Sequence, residues 1–383
     1  MLRHLALLSV VVACSPGAGD EEPFTFPDPA ASPDWVGPGG PSVSFSAEEL
    51  FVPCAVLNGG PEDYDHHNLV APYRGHLVLP WAAEWSDGGV TFFEVDDPCA
   101  PVKLQDSYDT DMRETHAIGF THLRDGPHAG DWAVVNHMRG IQIWDVSDPW
   151  QPVVASSLEL PDVFYPDSYS RVVLAVFWQY PTLYVAAANN GLFVVDTTNP
   201  REPEMVKQVV FEPGLRTGGV FAHGDSLLVT GAETEDAILM DISDPMDPQL
   251  IPGGRFVVAD RDGVPREYYH GNRIGDLALF ARKGGGSGPM VYDIADPTAP
   301  VFVGDLPQDN NGGYIFYDEG FLFMGESDVG RIYDARDMSN ITVVGEVGTD
   351  IFPGDLDTLT PYGNVAMLSA DDEADDDLSL IHI

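Results

Sequence analysis

Basic residues are scarce in this chain. Its 383 residues hold 18 Lys plus Arg against 61 Asp plus Glu, a formal net charge of −43. Such a surface repels nucleic acid and anionic lipid headgroups, so charge-driven binding to either is excluded, while cations are concentrated around it. The plainest use of that charge is a solvating surface suited to salty or divalent-rich surroundings. Cysteine is also rare, at three residues, with no Cys-x-x-Cys pair. There is no Gly-x-Ser-x-Gly, no His-x-His or His-x-x-x-His pair, and no recognisable nucleophile–base–acid triad. Long apolar runs are missing too. Leu5 to Val12, apolar except for Ser9, is far short of the roughly 20 residues needed to span a bilayer.

What is present begins with that run. Met1-Leu2-Arg3-His4 is a short basic region ahead of it, and together they read as an export signal. Val11-Val12-Ala13-Cys14 resembles the bacterial lipobox, which implies cleavage after residue 13 and lipidation (palmitate included) of Cys14; Ser15 in place of Asp implies sorting to the outer membrane, on its periplasmic face or at the cell surface. The alternative is an ordinary secretory signal that happens to contain a cysteine. Residues 14–45, rich in Pro, Gly, Ala, Asp and Ser, cannot bury enough surface to fold and are expected to form a flexible tether. Export would place Cys54 and Cys99 in an oxidising compartment, where they either form a disulfide or remain two buried thiols.

From residue 46 the chain repeats itself. Seven short apolar runs each follow a hairpin turn: Thr91 to Glu94, Gln142 to Asp145, Leu192 to Asp196, Ile238 to Asp241, Met290 to Asp293, Arg331 to Asp334 and Leu380 to His382. The acidic ends at 94, 145, 196, 241, 293 and 334 are spaced by 51, 51, 45, 52 and 41 residues. Five copies run into a turn with two prolines three apart, at 98/101, 149/152, 200/203, 245/248 and 297/300; the sixth departs from this with Asp337-Met338-Ser339-Asn340-Ile341. Proline cannot donate to a strand ladder, so each pair marks a turn and the entry to an edge strand. A period of this size containing only strand signals predicts an all-β propeller of four-stranded antiparallel blades, or an open β-solenoid, rather than one sandwich. The last unit has three strands, and a spare strand-like segment, Leu50 to Leu57, precedes the first unit. Pairing of that segment with Leu378 to Ile383 would complete a seventh blade and leave no open edge.

Gly191-Leu192-Phe193-Val194-Val195-Asp196-Thr197-Thr198-Asn199-Pro200 with Pro203, and its counterpart Gly140 to Pro152, resemble the LVIVD repeat found in exported bacterial β-propeller proteins, many of them lipoproteins. The resemblance spans roughly residue 50 to the end and is strongest in units two to five. It implies a propeller, an extracytoplasmic location and a binding role, and supplies no catalytic residues.

In a propeller, the starts of the innermost strands and the turns between second and third strands share one face and converge on the axis. Those positions hold His67, Glu84, His116, His137, Arg139, Arg171, Asn190, Glu233, His270, Glu326 and Asp357, with Arg216, Arg282 and Lys283 among their neighbours. His67, His116 and His270 occupy equivalent places in three units and could hold Zn or Fe, or merely line a wet channel. Arg139, Arg171 and Arg216 could accept an anionic group, or form salt bridges between blades. The acidic run 370–377 could collect Ca2+, although its spacing does not match an EF-hand and a solvated loop accounts for it. Gly284-Gly285-Gly286-Ser287-Gly288 joins two strands and opens no helix, so it reads as a hairpin turn and not a phosphate cradle. These features predict a lipid-anchored binding module for a protein, glycan or small molecule. The alternative is a metal-dependent hydrolase or oxidoreductase using the three histidines.

Overall fold

The structure, a computed structural model, describes residues 52–57, 60, 69–82, 88–97, 99–112, 116–164, 170–348, 356–362, 365–370 and 378–382. Cys14, the tether, His67, Glu84 and nearly all of the acidic run 370–377 lie outside them. The described residues belong to one compact unit, Ser42–Ile383, and form β-strands without any helix.

After β1 (Val52–Leu57), six blades follow, each built from four consecutive strands. The first comprises β2 (Ala71–Tyr73), β3 (His76–Ala82), β4 (Gly88–Glu94) and β5 (Val102–Asp109). The second comprises β6 (Ile118–Leu123), β7 (Gly130–His137), β8 (Gly140–Asp145) and β9 (Val153–Glu159). The third holds β10 (Ala175–Gln179), β11 (Thr182–Ala186), β12 (Leu192–Asp196) and β13 (Glu204–Val209). The fourth holds β14 (Thr217–His223), β15 (Ser226–Gly231), β16 (Asp236–Asp241) and β17 (Gln249–Val257). The fifth is β18 (Tyr268–Ile274), β19 (Leu277–Arg282), β20 (Pro289–Asp293) and β21 (Val301–Asp305). The sixth is β22 (Ile315–Asp318), β23 (Phe321–Glu326), β24 (Val329–Asp334) and β25 (Thr342–Gly348). Among the described residues, blades of consecutive strands number six, not the seven expected from six repeats plus one completed by both chain ends. The strands left over, β26 (Leu356–Tyr362), β27 (Val365–Ala370) and β28 (Leu378–His382), form a composite sheet with β1, in the order β1-β28-β27-β26. Register there runs from Val52 opposite His382 to Leu57 opposite Leu378. Among the described residues three strands follow β25, and the hydrogen-bonding edge of β28 is met by β1.

Why the second and third strands of each blade read as continuous apolar runs is visible in the packing. Both faces of each blade meet another blade, so alternate residues go to opposite neighbours instead of alternating between core and water. Leu183, Val185, Phe193 and Val195 pack on Trp132, Val134 and Ile143 of the blade before. Their sequence neighbours Tyr184, Ala186, Leu192 and Val194 pack on Val220, Leu227, Val229 and Ile238 of the blade after. The same handover continues to Leu77, Leu79 and Phe93 of the first blade, which share a cluster with Leu57 of β1 and Met367 of β27. The first strands β6, β10, β14, β18, β22 and β26 lie beside one another in turn, which puts them innermost. The fourth strands are the outer edges, and exposed side chains such as Val102, Val153 and Val301 mark where they start.

The recurring acidic residue has a local purpose. Asp145 Oδ1 accepts the N–H of Ser147 at 3.2 Å, and Asp148 Oδ1 that of Trp150 at 3.0 Å. The pair recurs at Asp196 and Asn199, at Asp241 and Asp244, and at Asp293 and Asp296. These are Asx turns, in which a short acceptor satisfies a backbone donor two residues on. The proline-free sixth unit makes the same pair, through Asp334 and Asp337. The short side-chain acceptor, not the proline, therefore defines the turn. Glycine at the entry to the third strand is required in the second and third blades: a Cβ on Gly191, at φ +81°, would lie 2.2 Å from the carbonyl oxygen of Val209, and one on Gly140 equally close to that of Leu158.

Candidate functional site

The face formed by the starts of the inner strands and the turns between second and third strands gathers one continuous polar and aromatic cluster. Arg216 immediately precedes β14, and Glu233 sits in the β15–β16 turn at φ +54°. Lys283 comes from the β19–β20 turn, Tyr269 and His270 from the start of β18, and Tyr314 from just before β22. Glu233 receives a hydrogen bond on each oxygen, from Arg216 Nη1 at 2.9 Å and from Lys283 Nζ at 2.6 Å. Burial alone would raise the Glu233 pKa, but the Lys283 hydrogen bond and charge, with Arg216 behind them, hold it below the ordinary carboxylate range. Lys283 Nζ also lies 4.5 Å from the centre of the Tyr269 ring. Tyr269 meets His270 edge-on, and His270 stacks on Tyr314 with ring centres 3.7 Å apart.

Two of the three histidines expected at the axis come together electrostatically. His270, buried to 8% exposure, has its pKa pushed down to about 3, first by burial and then by His116, Arg216 and Lys283. It is a neutral imidazole at any physiological pH. His116, at 4% exposure, belongs to the second blade and His270 to the fifth, so the innermost strands bring separate blades into reach across the axis. His67 lies outside the described residues, among which no three His, Cys, Asp or Glu side chains are arranged to hold a metal ion. Beside Glu233, a recess of about 300 Å3 is lined by Glu233, Thr234, Glu235, Asp236 and Glu267.

Other expected residues are placed differently. His137 is buried, accepts the Arg139 N–H on Nδ1 at 3.1 Å, and directs Nε2 toward Asp111 at 3.9 Å; burial lowers its pKa. The Arg139 guanidinium lies over the Phe164 ring at 4.8 Å. Asn190 donates to the Asp162 carbonyl at 3.0 Å, and Arg171 is exposed. Asp357 is half-buried, and its backbone carbonyl accepts the Tyr314 N–H at 2.9 Å.

Glu326, expected on the open face, is instead fully buried between blades. It accepts from Ser287 Oγ at 2.9 Å, from Arg331 and from the Tyr333 hydroxyl, and Arg331 also reaches Glu346 at 2.7 Å. Burial is the larger influence and holds Glu326 above the usual carboxylate range despite three donors. The reason is its position as the last residue of β23, one step before the turn, where the side chain still faces the neighbouring blade. Sequence reading reached Arg216 and Lys283 but missed Tyr269 and Tyr314, because aromatic residues beside a strand end look like core. The usable signal is an aromatic immediately preceding an axial histidine, as in Tyr269-His270. Of the two remaining cysteines, Cys99 is disulfide-bonded.

Four-stranded antiparallel blades packed face to face, with polar residues meeting at their inner ends, define a β-propeller. Residues 182–210, which begin at β11 and end just past β13, match the LVIVD repeat. The chain is a β-propeller that carries an LVIVD repeat in its third blade. No curated protein matches it. Among solved structures it is similar to the β-propeller domain of Cps50 (Swd1) from Myceliophteria thermophila, at 11% identity over 87% of this chain and 99% of that one, with a TM-score of 0.61. It is also similar to the periplasmic gluconolactonase of Pseudomonas aeruginosa, at 11% identity over 73% and 84% of the two chains, TM-score 0.59. BamB from Moraxella catarrhalis matches at 11% identity over 87% of this chain and all of that one, TM-score 0.52. At such identities the likeness shows the fold alone.

Proposed function

We propose that this protein is a binding module, exported and anchored to the outer membrane through lipidated Cys14, that recognises its partner with the face carrying Arg216, Glu233, Tyr269, His270 and Lys283. In this reading the composite sheet of β1 and β26–β28 is the closing blade of a seven-bladed ring, and Cys54 is the disulfide partner of Cys99. The observation that carries the proposal is convergence: side chains from the second, fourth, fifth and sixth blades meet at one place on a rigid framework. Rigid scaffolds that present residues from several elements at one spot are suited to recognition. The similarity to BamB and to the Swd1 propeller domain is compatible with a protein-interaction role.

The test places a photo-crosslinking residue at Tyr269 or, as a control on the opposite face, at Trp150, in cells expressing the full chain. Discrete adducts from position 269 and none from 150 are expected. Adducts from both alike, or from 150 alone, would remove the face from consideration. Labelling with a palmitate analogue, abolished by Cys14→Ser, checks the anchor.

A second reading is favoured by one observation, the approach of His116 to a neutral His270, since neutral imidazole is the metal-ligating form. There the site would hold a transition metal and serve a hydrolase or oxidoreductase, with His67 as a third ligand. Stoichiometric Zn, Fe or Mn in purified protein, lost in His116→Ala, would establish it. Metal-free protein with intact crosslinking would end it. If Ca2+ binds the acidic loop, the melting temperature rises with calcium and falls with chelator.

A further inference from the structure

The pair Arg216 and Lys283 already holds a carboxylate, and that carboxylate belongs to the protein. Glu233 gives one oxygen to each cation, at 2.9 and 2.6 Å. Its side chain is 41% exposed, whereas Arg216 and Lys283 are 19% and 31% exposed, so the anion is the outermost member of the trio. Both cations have holds independent of Glu233. Lys283 rests over the Tyr269 ring at 4.5 Å, and Arg216 Nη1 lies 3.5 Å from the Ala232 carbonyl oxygen. The clamp therefore keeps its form when Glu233 turns away. Glu233 also lines an open recess with Thr234, Glu235, Asp236 and Glu267, so there is solvent for its side chain to turn into.

We infer that Arg216 and Lys283 form the receptor for a carboxylate group of the ligand, and that Glu233 is an internal competitor which occupies the clamp until the ligand displaces it. This deepens the binding reading above and rests on it. The ligand's carboxylate takes over the two charge-assisted hydrogen bonds that Glu233 gives up, while Glu233, still tethered beside the site, turns into water and regains its hydration. A net charge of −43 opposes the approach of polyanions, so the fitting partner is a small molecule with one or two carboxylates, not an acidic macromolecule.

The experiment titrates full-length protein with succinate, and with succinamide as the neutral counterpart, by calorimetry. Succinate binds and succinamide does not. Glu233→Gln, which removes the competing charge while keeping an acceptor, tightens succinate binding about tenfold, and Lys283→Ala weakens it about tenfold or more. Both positions are solvent-accessible, and unchanged melting temperatures verify the fold of each variant. Succinate affinity that ignores both substitutions, or weakens in Glu233→Gln, overturns the inference. If succinate fails to bind while position 269 still gives adducts, the clamp is wrong and the binding face stands; if adducts are also absent, both readings fall.

Discussion

Replacing Glu326 tests whether the site has been separated correctly from the framework around it. Glu326→Ala removes an acceptor from three donors at once. Ser287 and Tyr333 are fully buried, and each orphaned hydroxyl costs about 1–3 kcal/mol. Arg331 is 10% exposed and keeps Glu346 at 2.7 Å, so its loss is smaller than that of a buried arginine stripped of every partner. Breaking a buried pair from one side costs about 3–5 kcal/mol, and the surviving Glu346 contact places this case near 4 kcal/mol. For a urea m value of about 3 kcal/mol/M, the midpoint falls by a little over about 1 M. Replacing both members, as Glu326→Met with Arg331→Met, leaves no buried charge behind, and Glu346 is half-exposed and able to hydrate. Taken against Glu326→Met and Arg331→Met as the single variants, the double variant should recover at least half of the Glu326→Met loss, so the coupling energy is at least about 2 kcal/mol. Tryptophan fluorescence during urea unfolding reads all four corners of the cycle. A Glu326→Ala variant within about 1 kcal/mol of the parent, or a double variant at the sum of the singles, would show that the carboxylate is not holding these blades together.

Removing β1, by starting the chain after Leu57, strips the partner from β28 and exposes the cluster that Leu57 shares with Leu77, Phe93 and Met367. Loss of that side chain alone costs about 1.5–3 kcal/mol, and the bared edge should make light scattering rise with concentration. Gly191→Ala forces a Cβ toward the Val209 carbonyl at a positive φ, so thermal unfolding should show a loss of about 1–3 kcal/mol. His270 is neutral when folded and titrates near 6.5 when unfolded, so unfolding takes up a proton between those values: stability is held above pH 6.5 and lost as the pH falls toward about 3. His270→Phe, which preserves the stack on Tyr314, should flatten that part of the acid limb, and an unchanged pH profile would count against the burial assigned to this ring.

Much of the fold was legible because its periodicity is chemical. The apolar runs at Leu192 to Asp196 and Met290 to Asp293 report strands with neighbours on both faces, and the acidic residue after each run reports a turn that needs a side-chain acceptor. The proline pairs are a weaker sign, since Asp334 and Asp337 close the same turn without them. The composite nature of the last sheet was readable from a unit short of one strand and a spare strand ahead of the first. The candidate site was legible only as a set of positions. A residue at the end of a second strand points either to the open face or into the next blade, and one step along the strand reverses the choice, because successive side chains alternate. Glu326 and Glu233 illustrate the difference: Glu326 ends β23 and is sealed among Ser287, Arg331 and Tyr333, whereas Glu233 lies two residues beyond β15, in the turn, and stands at the surface.

The amino-acid order by itself determined the strand content, the repeating blade, the acidic surface and the recurring short acceptors in the turns between third and fourth strands. All of these follow from interactions between residues close in the chain, or from their average composition. Tertiary structure alone decided which polar groups meet. Arg216, Glu233 and Lys283 span the fourth and fifth blades, and His116 approaches His270 across more than 150 residues of sequence. Such contacts depend on how the blades are turned about a common axis, and local periodicity carries no record of that angle.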